Sequence, residues 1–123
     1  MAVYLDLEVV IGELSALGFV VRDQGLLGAA LSRPQTTVFG VDAYPSISLK
    51  AASQTESLVQ HHALLDGNKR AAWYLLVAFM LINKFEIQAR EDDVEILMRQ
   101  IASQNMTLPE LANWIAQRSK PVK

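Results

Sequence analysis

Apolar residues recur along most of this chain every three to four positions, the spacing that lays one stripe along a helix. Leu7, Val10, Ile11, Leu14 and Leu17 form the first stripe, with Asp6 placed to cap it and Gly18 to stop it. Leu26, Leu27, Ala30 and Leu31 form a second, capped by Asp23 and ending before Pro34. Ser46 is placed to cap a third helix through Ala51 and Leu58 toward His61. From about Asn68 to Asn83 the chain is apolar nearly all round, with Trp73, Leu75, Leu76, Val77, Phe79, Met80, Leu81 and Ile82. Such a helix is expected at the centre of a bundle. Glu91, Asp92 and Asp93 suit the N-terminus of a fifth helix carrying Val94, Leu97, Met98 and Ile101. Thr107 and Glu110 match a capping box for a sixth, with Leu111, Trp114 and Ile115 on its apolar face.

Between the stripes lie short extended links at Phe19–Val21 and Phe85–Ile87, and a long loop from Arg33 to Pro45. The tail from Lys120 to Lys123 is expected to fray. The fold class is therefore all-α: a compact single domain over residues 1–123, with about six helices around a central apolar helix and no β-rich region.

Composition narrows the function. An apolar fraction of 51% with 20% charged residues is that of a globular domain. A net charge of −2 gives no basic footprint for nucleic acid. Without cysteine there is no disulfide framework and no thiolate metal site. Asp6 and Glu8 stand where an export signal carries positive charge, and no apolar run reaches the roughly 20 residues that span a bilayer. The expected location is the cytoplasm.

One run stands apart: His62-Ala63-Leu64-Leu65-Asp66-Gly67-Asn68-Lys69-Arg70. It combines a candidate base, a candidate metal ligand, a turn glycine and two cations. Lys69 and Arg70 fall at the start of the apolar helix, where the macrodipole disfavours positive charge by a few tenths to about 1 kcal/mol each. The placement makes sense if an anion binds there, because free backbone N–H groups at a helix N-terminus take phosphate. A histidine beside a phosphate site is the physical reading of the run.

The same run resembles the signature of the Fic/Doc family: His, an apolar residue two positions on, an acid, a small residue, Asn, then Gly or Lys before Arg. The family carries it in a loop and the start of the following central helix. Length and helical pattern resemble the short Doc toxin branch along nearly the whole chain. AMP-transferring members usually have Gly where this chain has Lys69, and a second Arg where it has Trp73. Doc-type proteins carry the Lys, and are described as kinases that transfer the γ-phosphate of ATP to translation elongation factor Tu. Leu64 departs from the family's usual Phe, an apolar loop anchor.

The resemblance implies roles. His62 is the expected general base, Asp66 the expected Mg²⁺ ligand, and Gly67, Asn68, Lys69 and Arg70 the expected nucleotide-phosphate site. Asp66 also suits a helix cap, and the two uses are compatible. His61 is expected to be structural or at the surface. Trp73, Leu76, Phe79 and Met80 are expected in the core, Arg33 and Lys50 at the surface rather than lining the pocket. The Ser46–Lys50 region is the expected place of the family's target-docking flap. The implied substrates are ATP with Mg²⁺ and elongation factor Tu, and the implied partner is a Phd-like antitoxin. Nucleotidyl transfer and a catalytically silent, partner-binding domain are the competing readings.

Overall fold

The computed structural model describes residues 1–123. Its elements are α1 (Leu7–Ala16), α2 (Gln24–Ser32), a 3₁₀ turn (Arg33–Gln35), β1 (Thr37–Val38), β2 (Val41–Asp42), α3 (Ile47–His61), α4 (Asn68–Ile82), β3 (Phe85–Ile87), α5 (Glu91–Ala102), α6 (Leu108–Gln117) and β4 (Ser119–Pro121). The six helices are those the periodicity predicts. Their starts follow local chemistry: the side chains of Asp6, Asp23, Ser46 and Thr107 each accept a backbone N–H three residues on. At α6 the box is complete, with Glu110 accepting the Thr107 N–H at 2.8 Å.

The centre is shared by two helices of unlike composition. α4 buries Ala71, Ala72, Leu75, Leu76, Phe79 and Met80, yet Tyr74, Leu81 and Ile82 are exposed. α3 is the helix that packs against α2, α4, α5 and α6 together. It buries Ser53, Gln54, Thr55 and Ser57 beside Ala51, Ala52, Leu58 and Val59. Burying polar groups is tolerable here because most are satisfied at once. The Ser53 hydroxyl donates to Lys50 O, the Thr55 hydroxyl to Ala51 O, and the Gln54 amide to Leu75 O on α4.

Three expectations change. The tail does not fray: β4 pairs antiparallel with β3, and Val122 N–H donates to Lys84 O at 2.9 Å. The long loop carries the 3₁₀ turn and a small hairpin, β1 with β2, whose tip residue Phe39 is fully exposed at φ 52°. The Ser46–Lys50 region is no flap but the cap and first turn of α3.

Arg33 and Lys50 are not surface residues either. Arg33 donates to the Tyr44 hydroxyl, Ser53 O, Glu56 Oε1 and the Ser57 hydroxyl, tying the loop to α3. Burial alone would lower its pKa, but the bonds to Tyr44 and Glu56 prevail and raise it. Lys50 is 4% exposed, with its ammonium 3.3 Å from Asp42 Oδ2 and 3.4 Å from Pro34 O. Both side chains anchor the hairpin segment, because a long aliphatic stem buries well once its charged head is paired.

Candidate active site

Helix α3 ends at His61, and His62 turns the chain out of it in the left-handed conformation, φ 50° and ψ 55°. That region costs a non-glycine residue about 1–2 kcal/mol, so surrounding contacts must hold it. The Arg22 guanidinium donates to the His62 carbonyl, and the Ala63 carbonyl accepts the N–H groups of Arg22 (2.9 Å) and Asp23 (3.0 Å). Leu65 N–H then donates to Val20 O at 2.9 Å, and Val21 bridges Leu64. The loop after α3 is thus pinned as a miniature antiparallel pair against the link between α1 and α2. Ala63 and Leu64 face the core, leaving His62, Leu65 and Asp66 exposed.

Leu64 opposes Val21 with no direct bond between them, so its N–H and C=O need other partners. Asn68 supplies both: Oδ1 accepts Leu64 N–H at 2.9 Å and Nδ2 donates to Leu64 O at 3.0 Å. The amide side chain acts as a neighbouring peptide would. Leu64 itself is buried, 4% exposed, so these two bonds satisfy backbone groups that water barely reaches.

Gly67 has φ 74°, and a Cβ there would lie 2.7 Å from Phe19 Cε1 and 2.8 Å from Arg70 Nη2. The bare backbone lets the Arg70 guanidinium settle over the Phe19 ring, 5.5 Å from its centroid. Asp66 accepts Gly67 N–H through Oδ1 at 2.8 Å, and its second oxygen has no protein donor. It precedes the N-cap, which is Gly67, and caps the helix with no side-chain bond.

The start of α4 is therefore open. The N–H groups of Asn68, Lys69 and Arg70 have no acceptor within the protein. Lys69 and Arg70 are exposed and make no ion pair. His62, Asp66, Gly67, Asn68, Lys69 and Arg70, with Val59 and Leu65, line one cleft of about 410 Å³. Three free donors and two unpaired cations at a helix N-terminus fit an anion of phosphate type. Asp66 fits a hard divalent cation shared with that anion, since Mg²⁺ takes one or two carboxylates plus phosphate oxygens. His61, the last residue of α3, lies outside the cleft.

The supporting contacts from Phe19, Val20, Arg22 and Asp23 are absent from the sequence reading. Phe19–Val21 reads as extended there, which it is, but nothing in its composition names the loop some 40 residues away as its partner. Trp73, one turn into α4, is half-buried and meets Trp114 edge-on at 6.2 Å. It presents no cation where a second arginine would stand.

Comparison with known proteins agrees with this geometry. The model of the Fic/DOC family matches residues 5–80, from the start of α1 through the loop and most of α4. A protein named Toxin Doc from Mycolicibacterium smegmatis (strain ATCC 700084 / mc(2)155) is 45% identical over 121 residues, covering 94% of this chain and 93% of that protein. With the six-helix fold and the signature loop at one helix N-terminus, these matches establish that the chain belongs to the Fic/DOC family.

Proposed function

We propose that this protein is the toxin of a toxin–antitoxin pair and acts as a Doc-type kinase, transferring the γ-phosphate of ATP to a Thr or Ser of elongation factor Tu and so blocking translation. The observation that carries the reading is the open N-terminus of α4, with free N–H groups and the unpaired Lys69 and Arg70, facing an exposed His62 across one cleft. In the proposed step the target hydroxyl oxygen attacks Pγ, the bond from Pγ to the β-bridging oxygen breaks, and ADP leaves. His62 takes the hydroxyl proton, a role usually worth about 10²–10⁴-fold. Lys69, Arg70 and the helix N–H groups hold the phosphoryl oxygens as charge shifts among them. Asp66 would hold Mg²⁺, which when bound neutralises phosphate charge.

Transfer of the γ-phosphate rather than AMP is favoured by Lys69 and by Trp73. A tryptophan packed against Trp114 cannot replace an arginine's charge-assisted clamp on further phosphates. The β1–β2 hairpin, with Val38, Phe39 and Val41 exposed, takes over the target-docking role expected of the Ser46–Lys50 region. A Phd-like antitoxin with a segment that folds into a helix on binding is the proposed partner, and the cytoplasm the proposed location.

The test incubates the protein with Mg²⁺, elongation factor Tu and ATP labelled on the α- or the γ-phosphate. Label from the γ-position, lost in His62→Ala, is the expected result. Label only from the α-position would replace the kinase with a nucleotidyltransferase. No label from either would leave a silent binding domain or a different substrate.

A further inference from the structure

An imidazole acts as a base only where its backbone puts it. His62 is the first residue beyond α3 and holds the left-handed conformation, φ 50° and ψ 55°. Helical angles there would extend α3 and carry Ala63 and Leu64 away from the core sites they fill. A residue with a Cβ does not favour that turn by itself. Little within His62 holds it either. Its N–H finds no acceptor at the end of α3, and its ring makes no hydrogen bond within the protein. What reaches it is the Arg22 guanidinium, which donates to its carbonyl from 40 positions away in the chain.

We infer that Arg22 is a positioning residue for the transfer reaction: by holding the His62 carbonyl it keeps the left-handed turn and so aims the imidazole into the motif cleft. The inference rests on the reading of His62 as the base and adds what sets its geometry. Three observations support it. The donor comes from a fixed backbone. The N–H groups of Arg22 and Asp23 both donate to Ala63 O, at 2.9 and 3.0 Å, and Asp23 is locked as the cap of α2. The guanidinium has no competing partner. Arg22 is exposed and makes no ion pair, and the neighbouring Asp23 carboxylate is turned to Leu26 N–H. Finally, Arg22 is no part of the cleft lining, so it acts through His62 and not on the phosphates. A charged donor on a carbonyl makes a stronger bond than a neutral one, which suits it to hold a turn that the residue itself disfavours. The backbone bonds to Ala63 O survive loss of the Arg22 side chain, so the loop stays docked while the turn at His62 relaxes.

The test pairs kinetics with a structural signature that needs no turnover. With MgATP and elongation factor Tu, Arg22→Met is expected to lower kcat about five- to thirtyfold, the population factor that matches the cost of a left-handed residue. KM for MgATP and for the target should stay at the wild-type values. Arg22→Lys, which keeps a charged donor, should recover part of the loss. By nuclear magnetic resonance of the nucleotide-free protein, the φ-dependent HN–Hα coupling and the Cα shift of His62 should leave their left-handed values in Arg22→Met. Those of Leu64 and Leu65 should stay in place, with the circular dichroism unchanged. Arg22→Gln takes the place of Arg22→Met if the latter fails to fold. A raised KM for MgATP with His62 still left-handed would make Arg22 a nucleotide ligand and overturn the inference. An unchanged kcat with an unchanged His62 signature would overturn it as well. In both cases the reading of His62 as the base would stand. Full transfer by His62→Ala would overturn that reading itself, and the positioning role with it.

Discussion

Asn68→Ala separates an architectural role from a ligand role at the centre of the site. In the wild-type protein one amide side chain satisfies both backbone groups of Leu64, at 2.9 and 3.0 Å, while Leu64 itself is 4% exposed. Alanine removes both partners. A typical hydrogen bond contributes about 0.5–1.5 kcal/mol net, and a buried group left without a partner costs about 1–3 kcal/mol. Asn68 is half-buried, so water reaches part of the gap and the lower half of that range applies. Alanine's better helix propensity returns a few tenths of a kcal/mol at the first position of α4. The expected loss is about 2–4 kcal/mol, a large part of the roughly 5–15 kcal/mol that stabilises a domain. At about 3–5 °C per kcal/mol for a chain of this size, the melting temperature should fall by about 6–20 °C. The control is Asn68→Asp. It keeps the acceptor for Leu64 N–H but sets a carboxylate oxygen against Leu64 O, and it gains about 0.3–1 kcal/mol from the helix dipole. Its loss should be real but smaller than alanine's. The assay is urea unfolding of the nucleotide-free protein followed by circular dichroism, with the slope of the transition unchanged. An Asn68→Ala protein within about 0.5 kcal/mol of wild type would refute the clamp. If that protein had also lost nucleotide binding, Asn68 would act on the ligand alone.

Without nucleotide, Lys69→Ala should melt at the wild-type temperature or slightly above it, because an unpaired cation at a helix N-terminus is unfavourable; Arg70→Ala should gain less, since it gives up a contact with Phe19 worth about 0.5–1 kcal/mol. Scanning calorimetry checks both, and a loss above about 2 kcal/mol in Lys69→Ala would mean a structural pairing. At the buried Lys50, Met keeps the aliphatic stem and should change stability by less than about 1 kcal/mol, whereas Ala opens a cavity and should cost about 2–3 kcal/mol. Equal losses from the two in denaturant titration would assign the stabilisation to the ammonium instead. Glu110 is held below the usual glutamate range by accepting the Thr107 backbone N–H, and further by the Thr107 hydroxyl. With a depressed folded pKa, its contribution is complete above the unfolded value and lost as pH falls through the folded one. Thermal melts of wild type and Glu110→Gln should therefore differ near neutrality and converge in acid; a gap that persists to the lowest pH would contradict the ion's role in the cap.

The helices and their caps were legible in the chain because their causes are local. An Asp, Ser or Thr side chain reaches a backbone N–H three residues on wherever the chain folds, so Asp6, Asp23, Ser46 and Thr107 announce their helices. The motif was legible for the same reason: nine consecutive residues carry it, and the apolar stretch behind it shows that its two cations open a helix. Pairing across distance was not legible. Phe19–Val21 has the composition of any short extended link, and only the folded chain sets it against Ala63–Leu65 and puts the Phe19 ring beneath Arg70. The tail beyond Gln117 has little apolar character, yet it forms β4 because β3 offers it a free edge. Periodicity also ranks helices by hydrophobicity, which favours α4 for the centre and passes over α3. The polar positions of α3 sit in the interior because its own carbonyls and Leu75 O accept their hydrogen bonds. Arg33 and Lys50 read as surface cations for a like reason: a charge is tolerated inside only beside its partners, and Glu56, Tyr44 and Asp42 become partners only in three dimensions. What the sequence settled by itself was local: which segments are helical, where they begin, and which run carries the family signature. What tertiary structure decided was which polar groups meet, because a hydrogen bond between distant residues depends on a path through the fold that no local pattern encodes.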